Sequence, residues 1–122
     1  MVKRKRPVTW AEVAISNGGV RATVRAFKFA MGWGLATAEL GREPESIEEY
    51  ASVMDESRAT AFRDQQAFRK CFPTQQTPAE LNQATGQQAR YDELRRRVDD
   101  FNDLKAEAET SMFNLGGGIA PA

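Results

Sequence analysis

Residues 47–72, IEEYASVMDESRATAFRDQQAFRKCF, are the stretch whose reading decides the fold. In its first half Ile47, Tyr50, Ala51 and Met54 recur at three- and four-residue steps, which puts them on one helical face and leaves Glu48, Glu49 and Ser52 toward water. Asp55 and Glu56 interrupt that stripe. Ser57 then has the chemistry of an N-cap, because its hydroxyl can accept a bond from an unpaired backbone N–H two or three residues on. A second helix is expected to begin there. On it Arg58, Ala59, Phe62, Arg63 and Gln66 fall on the outer side, Ala61, Phe68 and Phe72 turn inward, and Arg69 and Lys70 lie further along.

This pattern resembles the helix-turn-helix of DNA-binding proteins, in the manner of small regulators of the actinobacterial or phage type. The family motif carries a small residue at its fifth position so that its two helices can approach, and Ala51 fills it. A serine opens the family's recognition helix, and Ser57-Arg58-Ala59-Thr60-Ala61-Phe62-Arg63 matches that run. The turn departs from the pattern, with Asp55 and Glu56 where glycine and an apolar residue are usual. Aspartate tolerates a left-handed turn. Glu56, by contrast, must pair with Arg58 or another local cation if it is not to repel phosphate.

The resemblance implies sequence-specific binding of double-stranded DNA through Ser57, Arg58, Thr60, Phe62, Arg63, Gln66, Arg69 and Lys70. Arginine in a major groove can donate two hydrogen bonds to guanine, and glutamine can pair likewise with adenine. Arg58 and Arg63 are therefore expected to read bases, with Thr60 and Gln66 assisting. Ser57, Arg69 and Lys70 would hold phosphate. The same four cations are also what a solvated helix face would carry.

The rest of the chain is read as support for this unit. At 122 residues there is room for one domain with a core and a projecting arm. The formal net charge is zero, so attraction to nucleic acid must come from uneven distribution. Residues 1–44 hold eight bases against three acids, and residues 73–122 hold five against eight. Residues 1–8 read as a flexible arm in which Lys3, Arg4, Lys5 and Arg6 could track phosphate or enter a minor groove.

Residues 9–72 form the expected helical DNA-binding domain. Thr9 caps a short helix with Trp10, Val13 and Ala14 on its apolar side, and Asn17-Gly18-Gly19 stops it. From 20 to 40 a core helix follows, with Val20, Val24, Phe27, Met31, Leu35 and Ala38 as the buried stripe and Phe29, Ala30, Trp33 and Ala36 widening it. Gly32 and Gly34 weaken that helix and so suggest a close approach or a bend. Arg21, Arg25 and Lys28 share one of its sides, suited to flanking a DNA backbone or to simple solvation. Gly41 ends it, and Pro44 with Ser46 reopens the chain into the motif.

Residues 73–78 read as a linker, and Thr77-Pro78 as the start of a long amphipathic helix over 79–113 with Gly86 as its one breaker. Tyr91, Leu94, Val98, Phe101, Leu104 and Ala108 make a narrow seam along it, for packing or dimerisation, although Lys105 interrupts the seam. The glycine-rich residues 114–122 are expected to be a disordered tail.

The fold class expected is all-α. The absence of histidine removes the common zinc sites and every histidine-dependent catalytic arrangement, and a lone Cys71 excludes an internal disulfide. No cofactor or metal is expected, and no enzyme activity, since neighbouring carboxylates on a helix point apart. With no apolar run of membrane length, a cytoplasmic, membrane-free protein is expected. The expected function is transcriptional regulation or mobile-element control by a homodimer bound to DNA. The alternative is a helical adaptor that binds a protein partner through the C-terminal helix.

Overall fold

The computed structural model describes residues 8–73 and 76–119, with side chains up to residue 110. It is all-helical: α1 Trp10–Leu40, α2 Ile47–Val53, α3 Arg58–Cys71, α4 Pro78–Ala84 and α5 Gln87–Ile119. Among the described residues there is no strand. No described helix is long and apolar enough to cross a membrane.

The first four helices each start on a polar cap of the kind the sequence announces. Thr9, Ser46, Ser57 and Thr77 accept the backbone N–H of Glu12, Glu49, Thr60 and Glu80, respectively. Gly41 closes α1 in the left-handed conformation, at φ 73°, and its N–H bonds to the Thr37 carbonyl. Gly19 is the other special position. Its φ of 83° and ψ of 174° are non-helical and break α1 into two helical segments at the Asn17-Gly18-Gly19 stop that the sequence leads one to expect.

α1 is the central element, and α3 runs antiparallel along it. Asn17 donates a hydrogen bond to the Cys71 carbonyl at 2.8 Å, Thr23 Oγ1 lies 3.9 Å from Cys71 Sγ, and Lys28 reaches Asp64 at 2.9 Å. The buried residues of α1 are Ala14, Thr23, Ala26, Phe29, Ala30, Gly32, Gly34 and Ala36. That corrects the expected stripe: Val20, Val24 and Met31 are 66%, 65% and 48% exposed. The reason is steric, because neighbouring helices come too close for branched side chains and α1 meets them with small ones. Both glycines are points of contact. Gly32 lies under the Tyr50 ring, and Gly34 under Tyr91 and Asn82.

An aromatic cluster fills the space between α1, α2 and α3. Phe29 lies 4.9 Å from Tyr50 and 6.0 Å from Phe68, Trp33 stacks on Tyr50 at 5.7 Å, and Phe68 meets Phe72 at 5.0 Å. Cys71 is fully buried beside this core.

Gly86, at φ 74°, divides the expected long helix into α4 and α5. The break serves packing: α4 buries Leu81 and sends Asn82 Nδ2 to the Ala30 carbonyl at 2.8 Å, while α5 sends Gln88 Nε2 to the Gly34 carbonyl at 3.0 Å. A straight helix would have to satisfy both ties with one axis. At its other end α5 runs to Ile119, through the glycine run expected to be tail, and residues 120–122 lie outside those described. Extending an existing helix adds a hydrogen bond per residue, so glycine weakens propagation without forbidding it.

The loop between α1 and α2 is clasped by one carboxylate. Glu49 accepts both Arg42 guanidinium nitrogens, at 2.7 and 2.8 Å, and the Glu45 backbone N–H at 2.8 Å. Arg42 chiefly, and then the Glu45 N–H, lower the Glu49 pKa to about 2. A lowered carboxyl pKa contributes stability above its ordinary value near 4.5 that is lost as pH falls through about 2. The expected result is that the Glu49 carboxyl carbon, followed by NMR, titrates well below the ordinary glutamate value near 4.5. A midpoint near 4.5 would show the clasp to be open in solution.

Candidate functional site

α3 presents two clearly different sides. Ala61, Asp64, Ala67, Phe68 and Cys71 are buried. Arg58, Ala59, Phe62, Arg63, Gln66, Arg69 and Lys70 are exposed, while Thr60 and Gln65 stand at the boundary. The outer side therefore carries four cations and no acid, since the one carboxylate in α3 points into the protein. α4 and α5 pack on α1 rather than along α3, and among the described residues after Pro73 only Gln76, Thr77 and Pro78 come near this helix, beside Arg69. Arg63, Arg69 and Lys70 form no ion pair with the described residues.

The turn before α3 is built from residues that depart from the usual motif. Asp55 takes the left-handed conformation at φ 53°, and the Glu56 N–H then closes back on the Ala51 carbonyl at 2.9 Å. Aspartate thus stands in for the expected glycine. Glu56 turns under α3, where Lys28 reaches it at 3.1 Å and Asp64 at 2.9 Å. Its cation is Lys28, and not the neighbouring Arg58. The Lys28 pKa is raised chiefly by its hydrogen bond to Asp64, and further by Glu56, against the opposing effect of burial. Burial, helped by the charges of Glu56 and Asp64, pushes the Tyr50 phenol well above its ordinary range.

Three of the named site residues have partners that alter their role. Ser57 Oγ accepts the Thr60 N–H at 3.1 Å and lies 2.9 Å from Thr60 Oγ1, so both hydroxyls are occupied in starting the helix. Arg58 pairs with Glu48 of α2 at 2.9 Å. Both members of that pair are largely exposed, and such pairs exchange readily with other partners. Of the α1 cations, Lys28 is an internal counter-ion, whereas Arg21 and Arg25 precede it by two turns and one turn on the same flank and remain exposed. Lys70 lies near Gly18 at the other end of that flank. The basic surface therefore extends from α3 onto α1.

Asp64 was not singled out by the sequence reading. Its signal is nonetheless present: it sits three residues after Ala61 and four before Phe68, on the inward side of a helix otherwise basic. Lys3, Arg4, Lys5 and Arg6 lie outside the described residues. In α5, Tyr91 packs on Gly34. Leu94, Val98, Phe101 and Leu104 are 40% to 65% exposed, and Ala108 is also exposed. The expected seam is thus partly folded back onto α1 and mostly open.

Among the described residues no group of His, Cys, Asp and Glu could hold a metal ion. No protein-family model matches the chain, and comparison with curated proteins and with solved structures gives no match.

Proposed function

We propose that the exposed side of α3 binds double-stranded DNA, with the helix lying in the major groove. One observation carries this reading: an outward face of Arg58, Arg63, Arg69 and Lys70 without a carboxylate, on a helix whose other side is anchored to α1. Holding Glu56 and Asp64 on Lys28 takes two carboxylates away from this surface. Arg63 and Gln66, unpaired and near the middle of the helix, are the base readers in this proposal. Arg69, Lys70, Arg21 and Arg25 contact phosphate, and Arg58 exchanges Glu48 for DNA. The α2–α3 arrangement fits a helix-turn-helix, and regulation of transcription or of a mobile element is the process such binding would serve.

The reading is tested by titrating the protein against a duplex selected from a random pool, over a series of salt concentrations. Arg63→Ala is expected to weaken the selected site roughly tenfold and to narrow the gap from unrelated duplexes. Lys70→Ala should weaken all duplexes alike and reduce the steepness of the salt dependence by about one ion. No salt-dependent binding to any duplex would remove the proposal.

A second reading is a helical adaptor. It is favoured by one observation, the open apolar row Leu94, Val98, Phe101 and Leu104 on α5. A protein that binds no duplex and retains a heterologous partner only while residues 94–104 are unaltered would support it.

A further inference from the structure

At 33 residues α5 is about 50 Å long, and its ties to α1 come from its first third. Gln88 bonds to Gly34, Tyr91 packs on the same glycine, and Arg95 lies 4.0 Å from Glu39. Beyond these the helix leaves the body with Leu94 51%, Val98 40%, Phe101 65% and Leu104 64% exposed. Leu94 and Val98 also form one wall of a groove of about 330 Å³, completed by Leu35, Ala38, Val53 and Met54. The seam and the groove are one continuous apolar surface.

The charges along α5 indicate what covers it. Residues 90–97 carry four arginines against Asp92 and Glu93, a net +2, whereas residues 99–109 carry Lys105 against five acids, a net −4. We infer that the occupant is a second copy of this chain, with its α5 antiparallel to the first. A parallel pair would set arginine block against arginine block and acid against acid. The antiparallel pair sets each block against its opposite.

The register follows from the apolar row. Crossing the two helices midway between Val98 and Phe101 places Val98 on the partner's Phe101, Tyr91 on the partner's Ala108 and Leu94 on the partner's Lys105. This arrangement also resolves the exceptions within each block. The one base of the acidic stretch, Lys105, comes beside the partner's Glu93, the acid of the basic stretch that flanks the seam. In a parallel pair Lys105 would instead meet the partner's Lys105 inside the seam. The existing pairs of Arg95, Arg96 and Arg97 with Glu93, Asp99 and Asp100 are exposed contacts within one helix, so partner carboxylates replace them at little cost. The far half of the partner helix then runs along the mouth of the groove.

The pairing does not depend on DNA binding.

The test uses the full chain. Sedimentation equilibrium should give twice the monomer mass, with dissociation on dilution, and Phe101→Asp should leave a folded monomer. The sense of pairing is read by disulfide trapping with Leu94→Cys and Lys105→Cys, both at exposed positions. Native Cys71 is buried, and the unsubstituted chain serves as its control. The expected result is a covalent dimer when the two variants are mixed and mildly oxidised, and none from Leu94→Cys alone. A dimer from Leu94→Cys alone would mean parallel pairing and overturn the inference. A monomer at every concentration would overturn it too, including one that captures an unrelated helix. Loss of DNA binding with the dimer intact would count against the proposed function and leave this inference standing.

Discussion

Lys28→Ala is expected to destabilise the fold by about 3 kcal/mol, although Lys28 is itself nearly half exposed. The effect comes from what the substitution leaves behind. Asp64 is 2% exposed and Glu56 is mostly covered, so both carboxylates would be held together with no cation between them. Removing one partner from a buried pair costs more than the pair contributes, because the remaining charge has lost both water and its counter-ion. Replacing both partners with apolar residues, as in Lys28→Met with Asp64→Leu, should therefore recover much of the loss. Glu56 can then turn toward solvent. Urea unfolding of the two variants and the parent chain separates these outcomes: equal stability of the single variant and the parent would show that the cluster is hydrated and open.

The same cluster sets the response to alkali. The Lys28 pKa is raised above 10.5 by Asp64 and Glu56, so its contribution is complete below that value and is lost as pH rises through the folded-state pKa. Tyr50 adds to the effect with the same sign. Its phenol stays neutral in the core when an unfolded chain, with an ordinary value near 10, would already have ionised. Stability should consequently fall from about pH 10 upward, and Lys28→Ala should retain only the Tyr50 part of that fall.

The two sides of α3 are largely legible from sequence because Ala61 and Phe68 stand on one side at helical steps and Arg58, Arg63, Gln66, Arg69 and Lys70 on the other, with exposed Phe62 and buried Asp64 as the exceptions. α1 is legible as a helix, but its buried face is not. Alanine and glycine carry little hydrophobic signal, so Val20, Val24 and Met31 dominate the apparent stripe while Ala26, Ala30 and Ala36 form the real contact. A pattern of large apolar residues predicts burial when neighbours stand at ordinary distance, and it misleads when they approach closely. Gly86 is similar. A lone glycine is compatible with a continuous helix, and only the competing ties of Asn82 and Gln88 to different turns of α1 require the chain to bend there. The fate of Glu56 depends on Lys28, distant in sequence, and no local reading of the turn could choose it over Arg58.

Gly32→Ala should produce the second large loss, about 2 kcal/mol, in spite of the better helix propensity of alanine. Alanine gains roughly 1 kcal/mol over glycine within a helix. Here, however, the added methyl would overlap the Tyr50 hydroxyl and crowd two ring carbons at 3.2 Å. Tyr50 has no room to withdraw, being fully buried between Phe29 at 4.9 Å and Trp33 at 5.7 Å. Relief must come from moving α2, and with it the turn that orients α3. Gly34→Ala is the informative comparison, since its methyl would strike Tyr91 and Asn82. Tyr91 is only half-buried and belongs to the helix that projects from the body. That variant should lose less stability than Gly32→Ala, with amide-exchange protection lost in α4 and at the start of α5, where Asn82 and Tyr91 give way. If Gly32→Ala instead raised the melting temperature, α1 and α2 would stand further apart than described here, and the aromatic cluster could not be what holds α3 in place.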